Sequence, residues 1–422
     1  MNRPRMIRFP APALIGLLAQ PLTILPLAAQ TPPPAVAPTL PGSGMVQPIP
    51  ALRPPVPVPP LSAAQEAWAN DWLKTGAAQG LMARQKRSGP LHGEALVSAM
   101  LDRARALSTG RVDTADFLDI WALRPEPFDP RPGLAKAVAE DGLEQWANRL
   151  TPPWAGYETL RQGLARYEAI RDQGGWQPLS AASSPDAVRK RIAMEDPAVT
   201  PGESLTDIVQ RAQRRYGLNP TGNLDTRTLA ALNVSVDDRI AAIMANMERW
   251  RWMPESFGNA YIAVNIANFD LNYFYEGKLA LTMKTIVGKN YRKTPTFTKD
   301  MRYFVVNPTW NVPHMIASKD LLPKIQKDVN FLADMNILVW QGWGDQQVRI
   351  DPLSVDWQKL TAKTFPYRLQ QMPGPKNALG QVKFMFPNEH NVYLHDTNDR
   401  ALFAKSQRTF SSGCIRLEKP LA

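Results

Sequence analysis

A chain of 422 residues with 44% hydrophobic content is too long for one ordinary domain and apolar enough for two or three packed cores, which excludes a wholly disordered or fibrous protein. The formal charge of +11 suits a polyanionic or carboxylate-bearing partner, but the basic residues form no dense aromatic-interleaved stripe, so nucleic acid is disfavoured. A single cysteine leaves no intrachain disulfide and a free thiol that calls for an explanation.

The opening Met1 to Arg8 is basic, and the apolar run Ala11 to Ala29 is interrupted by Pro12, Pro21 and Pro26. This pattern reads as an export signal (1–29) rather than a spanning helix, with Ala28 and Ala29 as the cleavage region. Leu27 stands where a small residue is preferred, so an uncleaved anchor that holds the chain near a membrane is the alternative. Residues 30–60 are rich in Pro, Ala and Val; with few amide donors they read as an extended linker.

Residues 61–200 read as a helical scaffold without chemistry. Tyr157, Leu160, Leu164, Tyr167 and Ile170 recur at three- and four-residue steps ahead of Gly174-Gly175, the pattern of a core-facing helix and its stop. His92 lies here and is assigned no role. In 201–235, Ser204 caps one helix, with Asp207 at the capping-box position and Leu205, Ile208, Val209 and Ala212 on its apolar face. Asp225 caps a second helix carrying Leu229 and Leu232. The stretch Gly222-Asn223-Leu224-Asp225-Thr226-Arg227-Thr228-Leu229 resembles a small peptidoglycan-binding module, although a structural helical hairpin shares most of that pattern.

A linker helix over 236–257 ends in the aromatic stretch Arg249-Trp250-Arg251-Trp252. From 258 the period changes. Tyr261 to Ile266 and Phe269 to Tyr275 alternate, Glu276-Gly277 makes a hairpin turn, and Leu279, Leu281 and Met283 continue on a return strand. Residues 313–372 read as a helical and irregular insertion, and long insertions beside a cleft are often lids.

The chemistry gathers in the last thirty residues or so. Cys414 stands in Ser411-Ser412-Gly413-Cys414-Ile415-Arg416, and His395 precedes it by 19 positions, enough for a strand, a loop and a return strand that bring thiol and imidazole together. A histidine beside a thiol is the usual base for a cysteine nucleophile. Gly413 lets the backbone approach a substrate closely, so the Gly413 and Cys414 amides are candidates for facing an oxyanion. Zinc is the competing use of the pair, but His390, His395, Asp396, Asp399 and Cys414 match no standard ligand spacing. His314 falls in the insertion and can contact substrate or be simply solvated.

Tyr393-Leu394-His395-Asp396 with Ser411 to Arg416 resembles the L,D-transpeptidase (YkuD-type) signature, in the larger Gram-negative form. Gly374 to Gly380, Lys383 to Asn388 and Asn307 to Pro313 resemble the same branch. The resemblance implies an α+β protein: a mainly β catalytic domain (258–422) with a capping subdomain, a helical scaffold and a small helical peptidoglycan-binding module. It further implies a periplasmic enzyme, cofactor- and metal-free, acting on peptidoglycan stem peptides through a Cys414 thioester, with cell-wall cross-links as product. His395 is then the base and the Asp396 carbonyl its orienting group. Arg416 holds a substrate carboxylate, and Asn388, Tyr393, Ser411 and Ser412 line the site. A carboxypeptidase or hydrolase with the same acyl-enzyme, and a non-catalytic wall-binding protein, are the alternatives. Members of the family continue through a further helical segment, whereas this chain ends eight residues after Cys414, so the resemblance implies a C-terminally truncated domain. The oligomeric state is left open.

Overall fold

The computed structural model describes residues 55–81, 89–117 and 120–422. The export signal and most of the proline-rich segment lie outside these residues. No helix among the described residues is long and apolar enough to cross a membrane.

The N-terminal helices are α1 (Ala63–Lys74), α2 (Gly93–Thr109), α3 (Arg131–Ala139) and α4 (Leu143–Asn148). Ser62 and Gln65 start α1 with a reciprocal capping box, which satisfies two of the amides that a helix N-terminus leaves bare. Leu96, Met100, Ala104, Leu134 and Trp146 form the shared core. Val58, inside the stretch read as linker, packs against it. The helical reading fails between α2 and α3. Pro125, Pro127 and Pro130 deny the segment helical amides, and it instead reaches the β domain, where Trp121 bridges Thr296 and Ala122 N donates to Thr296 O at 2.8 Å.

Helices α5 (Ala155–Asp172), α6 (Pro185–Glu195), α7 (Leu205–Arg215), α8 (Thr226–Leu232) and α9 (Val236–Trp250) follow. The stripe Tyr157, Leu164 and Ile170 of α5 is buried against Ile240 and Met247 of α9, so the segment read as a linker helix is a packed one. Ser204 and Asp225 cap α7 and α8 as the sequence suggests. Asp207, however, accepts from the Ser204 hydroxyl at 2.7 Å rather than reaching back to the backbone. The core of α7 and α8 also takes in Leu179, Val188 and Ile192, so this helical unit extends before the boundary drawn at 201.

One polar network ties these helices together. Arg191 and Glu195 pair at 2.8 Å with side chains only 2% and 1% exposed, Tyr167 donates to Glu195 at 2.6 Å, and Tyr216 donates to it as well. These donors hold the Glu195 carboxyl below its usual range against the opposing push of burial. Removing one partner of a buried pair strands the other charge. Glu195→Ala is therefore expected to cost about 3–5 kcal/mol, read as an earlier helical transition in urea by circular dichroism; an unchanged transition would refute this account of the network.

The C-terminal domain is built on an eight-stranded sheet, ordered β1-β2-β3-β12-β10-β9-β4 with β11 on β3. Its strands are β1 (Ala260–Asn265), β2 (Asp270–Tyr275), β3 (Lys278–Gly288), β4 (Tyr303–Val306), β9 (Val382–Met385), β10 (Leu394–His395), β11 (Thr409–Ser411) and β12 (Ile415–Leu417). Between β4 and β9 the insertion carries β5 (Trp310–Asn311), β6 (Ile337–Gln341), β7 (Val348–Ile350) and β8 (Arg368–Gln371) in an antiparallel sheet β5-β8-β6-β7. The expectation of a helical and irregular insertion is thus half right: helical turns run from His314 to Lys327 and from Asn330 to Asp334, and they pack on this sheet. Val312, Leu322, Ile325, Leu332, Val339, Trp357 and Leu369 give it a core of its own.

Candidate active site

Strand β10 is the axis of the site. It pairs antiparallel with β9, His395 opposite Lys383, and parallel with β12, His395 opposite Arg416. Directly paired residues point to one face of a sheet, so Lys383, His395 and Arg416 form a row with the imidazole between two cations. Two residues back on each strand, on that same face, stand Tyr393 and Cys414. Ile415 N donates to Tyr393 O at 3.1 Å, which locks the thiol's register beside the tyrosine. The link from His395 to Cys414 is a crossover, through a helical turn at Arg400–Ala404 and β11, because a parallel pair cannot be closed by a tight turn.

His395 is buried, and its Nδ1 donates to Asp396 O at 2.5 Å. That bond leaves Nε2 as the acceptor nitrogen. Burial, with help from the Arg416 and Lys383 charges, pushes the imidazole pKa down to about 3. It is neutral at physiological pH, as a base must be to accept a proton. The Asp396 carboxylate accepts from Gln381 N at 2.8 Å and Arg400 Nη2 at 2.6 Å. Gly380 makes room for it: φ there is +60°, and a Cβ would fall 2.4 Å from the Asp396 carboxyl.

Cys414 is partly exposed, with Sγ 3.8 Å from Asn391 O. Burial raises the thiol pKa, while the amide and hydroxyl of Tyr393 and then the charges of Lys383 and Arg416 pull it back. Tyr393 also receives a side-chain hydrogen bond from Trp310 of β5. The hydroxyl therefore stands between the insertion and the thiol. No hydrogen bond joins His395 to Cys414 among the described residues; the resting thiol faces the Asn391 carbonyl.

Several residues expected to line the site serve its scaffold instead. Ser411 is buried, donates to Cys414 O at 2.5 Å and accepts from Gly413 N at 3.2 Å. The Gly413 amide is therefore committed, which removes it from the pair expected to face an oxyanion. Gly413 lies at φ +119°, so its contribution is conformational. Ser412 accepts from Arg292 at 3.0 Å, and Arg292 pairs with Asp320 of the insertion. Asn388 spends its amide within its own loop, donating to Phe386 O and Val392 O at 2.7 Å each and accepting from Val392 N at 3.1 Å. It thereby fixes the loop that carries Asn391. Arg416 is half-buried, with Nε hydrogen-bonded to nothing in the described structure, and burial lowers its pKa. Of the remaining histidines, His390 packs on Phe297 and His314 bonds Phe365 O at 3.0 Å.

The sequence reading missed Lys383 and Trp310. Lys383 was visible in principle, as a lone lysine within the apolar strand Val382 to Met385. Trp310 lies in the Asn307 to Pro313 stretch, but its place against Tyr393 is owed to the fold of the insertion. An apolar cavity of about 570 Å³ is lined by Ile262, Val264, Phe297, Phe386, Leu394 and Ile415. Leu394 and Ile415 point away from His395 and Cys414 by strand alternation, so this cavity lies on the other face of the sheet. Among the described residues no group of three or more His, Cys, Asp or Glu could hold a metal ion.

Residues 259–422 match the family described as the L,D-transpeptidase catalytic domain. Residues 68–164 match a scaffold domain, and 197–232 match one described as "Putative peptidoglycan binding domain". A Haemophilus influenzae protein named "Putative L,D-transpeptidase" is 41% identical over 174 residues, 41% of this chain and 34% of that protein. The match thus spans about a third of the relative's length.

The buried imidazole has a consequence for stability. Unfolded, a histidine titrates near pH 6.5; folded, His395 does so near 3. As pH falls through this window the unfolded chain binds the additional proton, so stability is lost. The urea midpoint of the native protein is expected to drop more steeply on acidification from about pH 7 to about pH 4 than that of His395→Gln. Parallel slopes would mean that the imidazole is not held neutral.

Proposed function

We propose that the protein is a cysteine L,D-transpeptidase of the periplasm, exported by its N-terminal segment, that cross-links peptidoglycan stem peptides. The observation that carries this reading is the single face of β10 and β12 on which a neutral, Nδ1-anchored imidazole, a tyrosine hydroxyl and the only thiol of the chain stand together. Peptidoglycan as the substrate is supported by the matches to a transpeptidase domain and to a peptidoglycan-binding domain.

In this reading the Cys414 thiol turns from the Asn391 carbonyl and yields its proton to His395 Nε2. The sulfur attacks the carbonyl of the L,D bond in a donor peptide. The proton passes to the departing amine of the terminal D-residue, which leaves a thioester on Cys414. An acceptor amine then attacks the thioester, His395 takes the amine's proton, and the sulfur is released with the new amide formed. Of the two amides expected at the oxyanion, that of Gly413 is committed and that of Cys414 is left, and the Tyr393 hydroxyl is a side-chain donor to the sulfur. Arg416, with its unmatched Nε, is suited to a peptide carboxylate through its planar fork.

Muropeptide mass spectrometry after incubation with purified protein is expected to show cross-linked dimers, and none with Cys414→Ala; trimmed monomers alone would identify a carboxypeptidase. A carbapenem, a strained acyl donor, is expected to add its mass to the native protein and not to Cys414→Ala. His395→Ala should acylate slowly at neutral pH, where a free thiol of pKa about 8.5 is only a few per cent thiolate, and should recover as the pH is raised past that value. Identical pH profiles for the variant and the native protein would remove His395 from the role of base.

A further inference from the structure

A second lysine-borne feature of this face is unused by the mechanism above. Lys383 Nζ sits 3.8 Å from the centroid of the Tyr393 ring, the ring whose hydroxyl meets Cys414 Sγ. Its Cα is paired with that of His395, and the side chain is half-buried. Among the described residues Nζ has no carboxylate within ion-pair distance and no hydrogen-bond acceptor; it lies over the ring and interacts electrostatically with the Cys414 sulfur. A half-buried ammonium without an anion is costly to keep, and a methionine would cover the same ring without that cost.

We propose that Lys383 is a positioning residue for the Cys414 thiolate, acting through the Tyr393 ring that its ammonium covers and whose hydroxyl meets the sulfur. The proposal rests on reading Cys414 as the nucleophile. When the thiol gives up its proton, the negative charge appears in a partly buried place where His395 cannot supply a standing positive charge before it accepts that proton. The charged and titratable groups facing the sulfur come from three strands: Lys383 from β9, Tyr393 and His395 from β10, and Arg416 from β12, with Asp399 near enough to Arg416 to weaken its effect. Arg292 stands behind Ser412 and is already neutralised by Asp320. Lys383 is thus the cation of this group without an acidic neighbour. A cation over the face of a phenol strengthens it as a hydrogen-bond donor, and the Tyr393 hydroxyl is a donor to the sulfur.

Cys414 is the single cysteine of the chain, so alkylation by iodoacetamide, in which the thiolate displaces iodide, reports this sulfur alone and needs no cell-wall substrate. Its rate would be followed against pH for the native protein, Lys383→Met and Lys383→Arg, each shown to be folded by circular dichroism. An opposite charge within about 4–6 Å lowers a pKa by about one unit or more. Lys383→Met is therefore expected to shift the profile about one unit to higher pH, an approximately tenfold slower reaction at neutral pH, while Lys383→Arg stays within about twofold of the native protein. A purely structural role for the side chain predicts the opposite pattern: the profile of Lys383→Met stays in place, and arginine, the bulkier replacement, is the more disruptive. That result, or an unmoved profile in both variants, overturns the proposal. Should Lys383→Met not fold, Lys383→Gln carries the same comparison. If the alkylation profile shifts but the native protein yields no cross-linked or trimmed muropeptides, the transpeptidase reading falls and the role of Lys383 stands; cross-links with unmoved profiles give the reverse.

Discussion

The parallel pairing of β10 with β12 is the constraint on which the site depends. Only two residue pairs define it, Leu394 with Ile415 and His395 with Arg416, and the two pairs point to opposite faces of the sheet. Leu394 and Ile415 go into the hydrophobic core with Leu271, Met283, Val392 and Leu417. That burial fixes the register, because a slip of one residue would exchange the apolar set for the polar one. His395 and Arg416 are thereby forced to the other face, with Tyr393 and Cys414 in the row before them. The chemistry is positioned by the packing of its neighbours.

The same burial sets the electrostatics. Desolvation dominates for each group on the catalytic face: it lowers His395, Lys383 and Arg416 and raises Cys414 and Tyr393. The resting state this favours is a neutral thiol beside a neutral imidazole, in place of a standing thiolate–imidazolium pair. The two cations that flank the imidazole work in opposite directions at different moments. They disfavour a charged imidazole and favour a charged sulfur, which in the proposed mechanism biases the proton toward leaving His395 again for the departing amine.

Much of this was legible in the sequence because it is local. The caps at Ser204 and Asp225, the stripe on α5 and the hairpin through Glu276-Gly277 each depend on residues within a few positions of one another, and the structure has them where their patterns place them. That His395 and Cys414 lie on neighbouring strands was legible through the motif, since histidine and cysteine are rare in this chain. What stayed hidden depends on tertiary company. The strands β6, β7 and β8 are only three to five residues long and carry too few alternations to be told from a loop. Ser411 and Asn388 looked like site residues because they are polar and near the thiol, yet their hydrogen bonds run inward to the backbone. A sequence shows that a polar group is present, not which way its bonds are satisfied.

The insertion is bound to the site at two points, and their difference says what it can control. Asp320, in a π-helical turn, pairs with Arg292, which donates to Ser412 two residues before the thiol. This is a charged tether, and π-turns interrupt the regular ladder of a helix where a fold needs a local adjustment. Trp310, at the start of the insertion, donates to the Tyr393 hydroxyl, which in turn meets the sulfur. A movement of the insertion on its own core would therefore alter the Ser412 loop and the Tyr393 hydrogen bond together, one on each side of Cys414. Because the insertion has a core separate from that of the catalytic sheet, such a movement need not disturb the β10–β12 register. The β10–β12 frame and the groups that reach toward Cys414 from the insertion thus belong to separate packed cores.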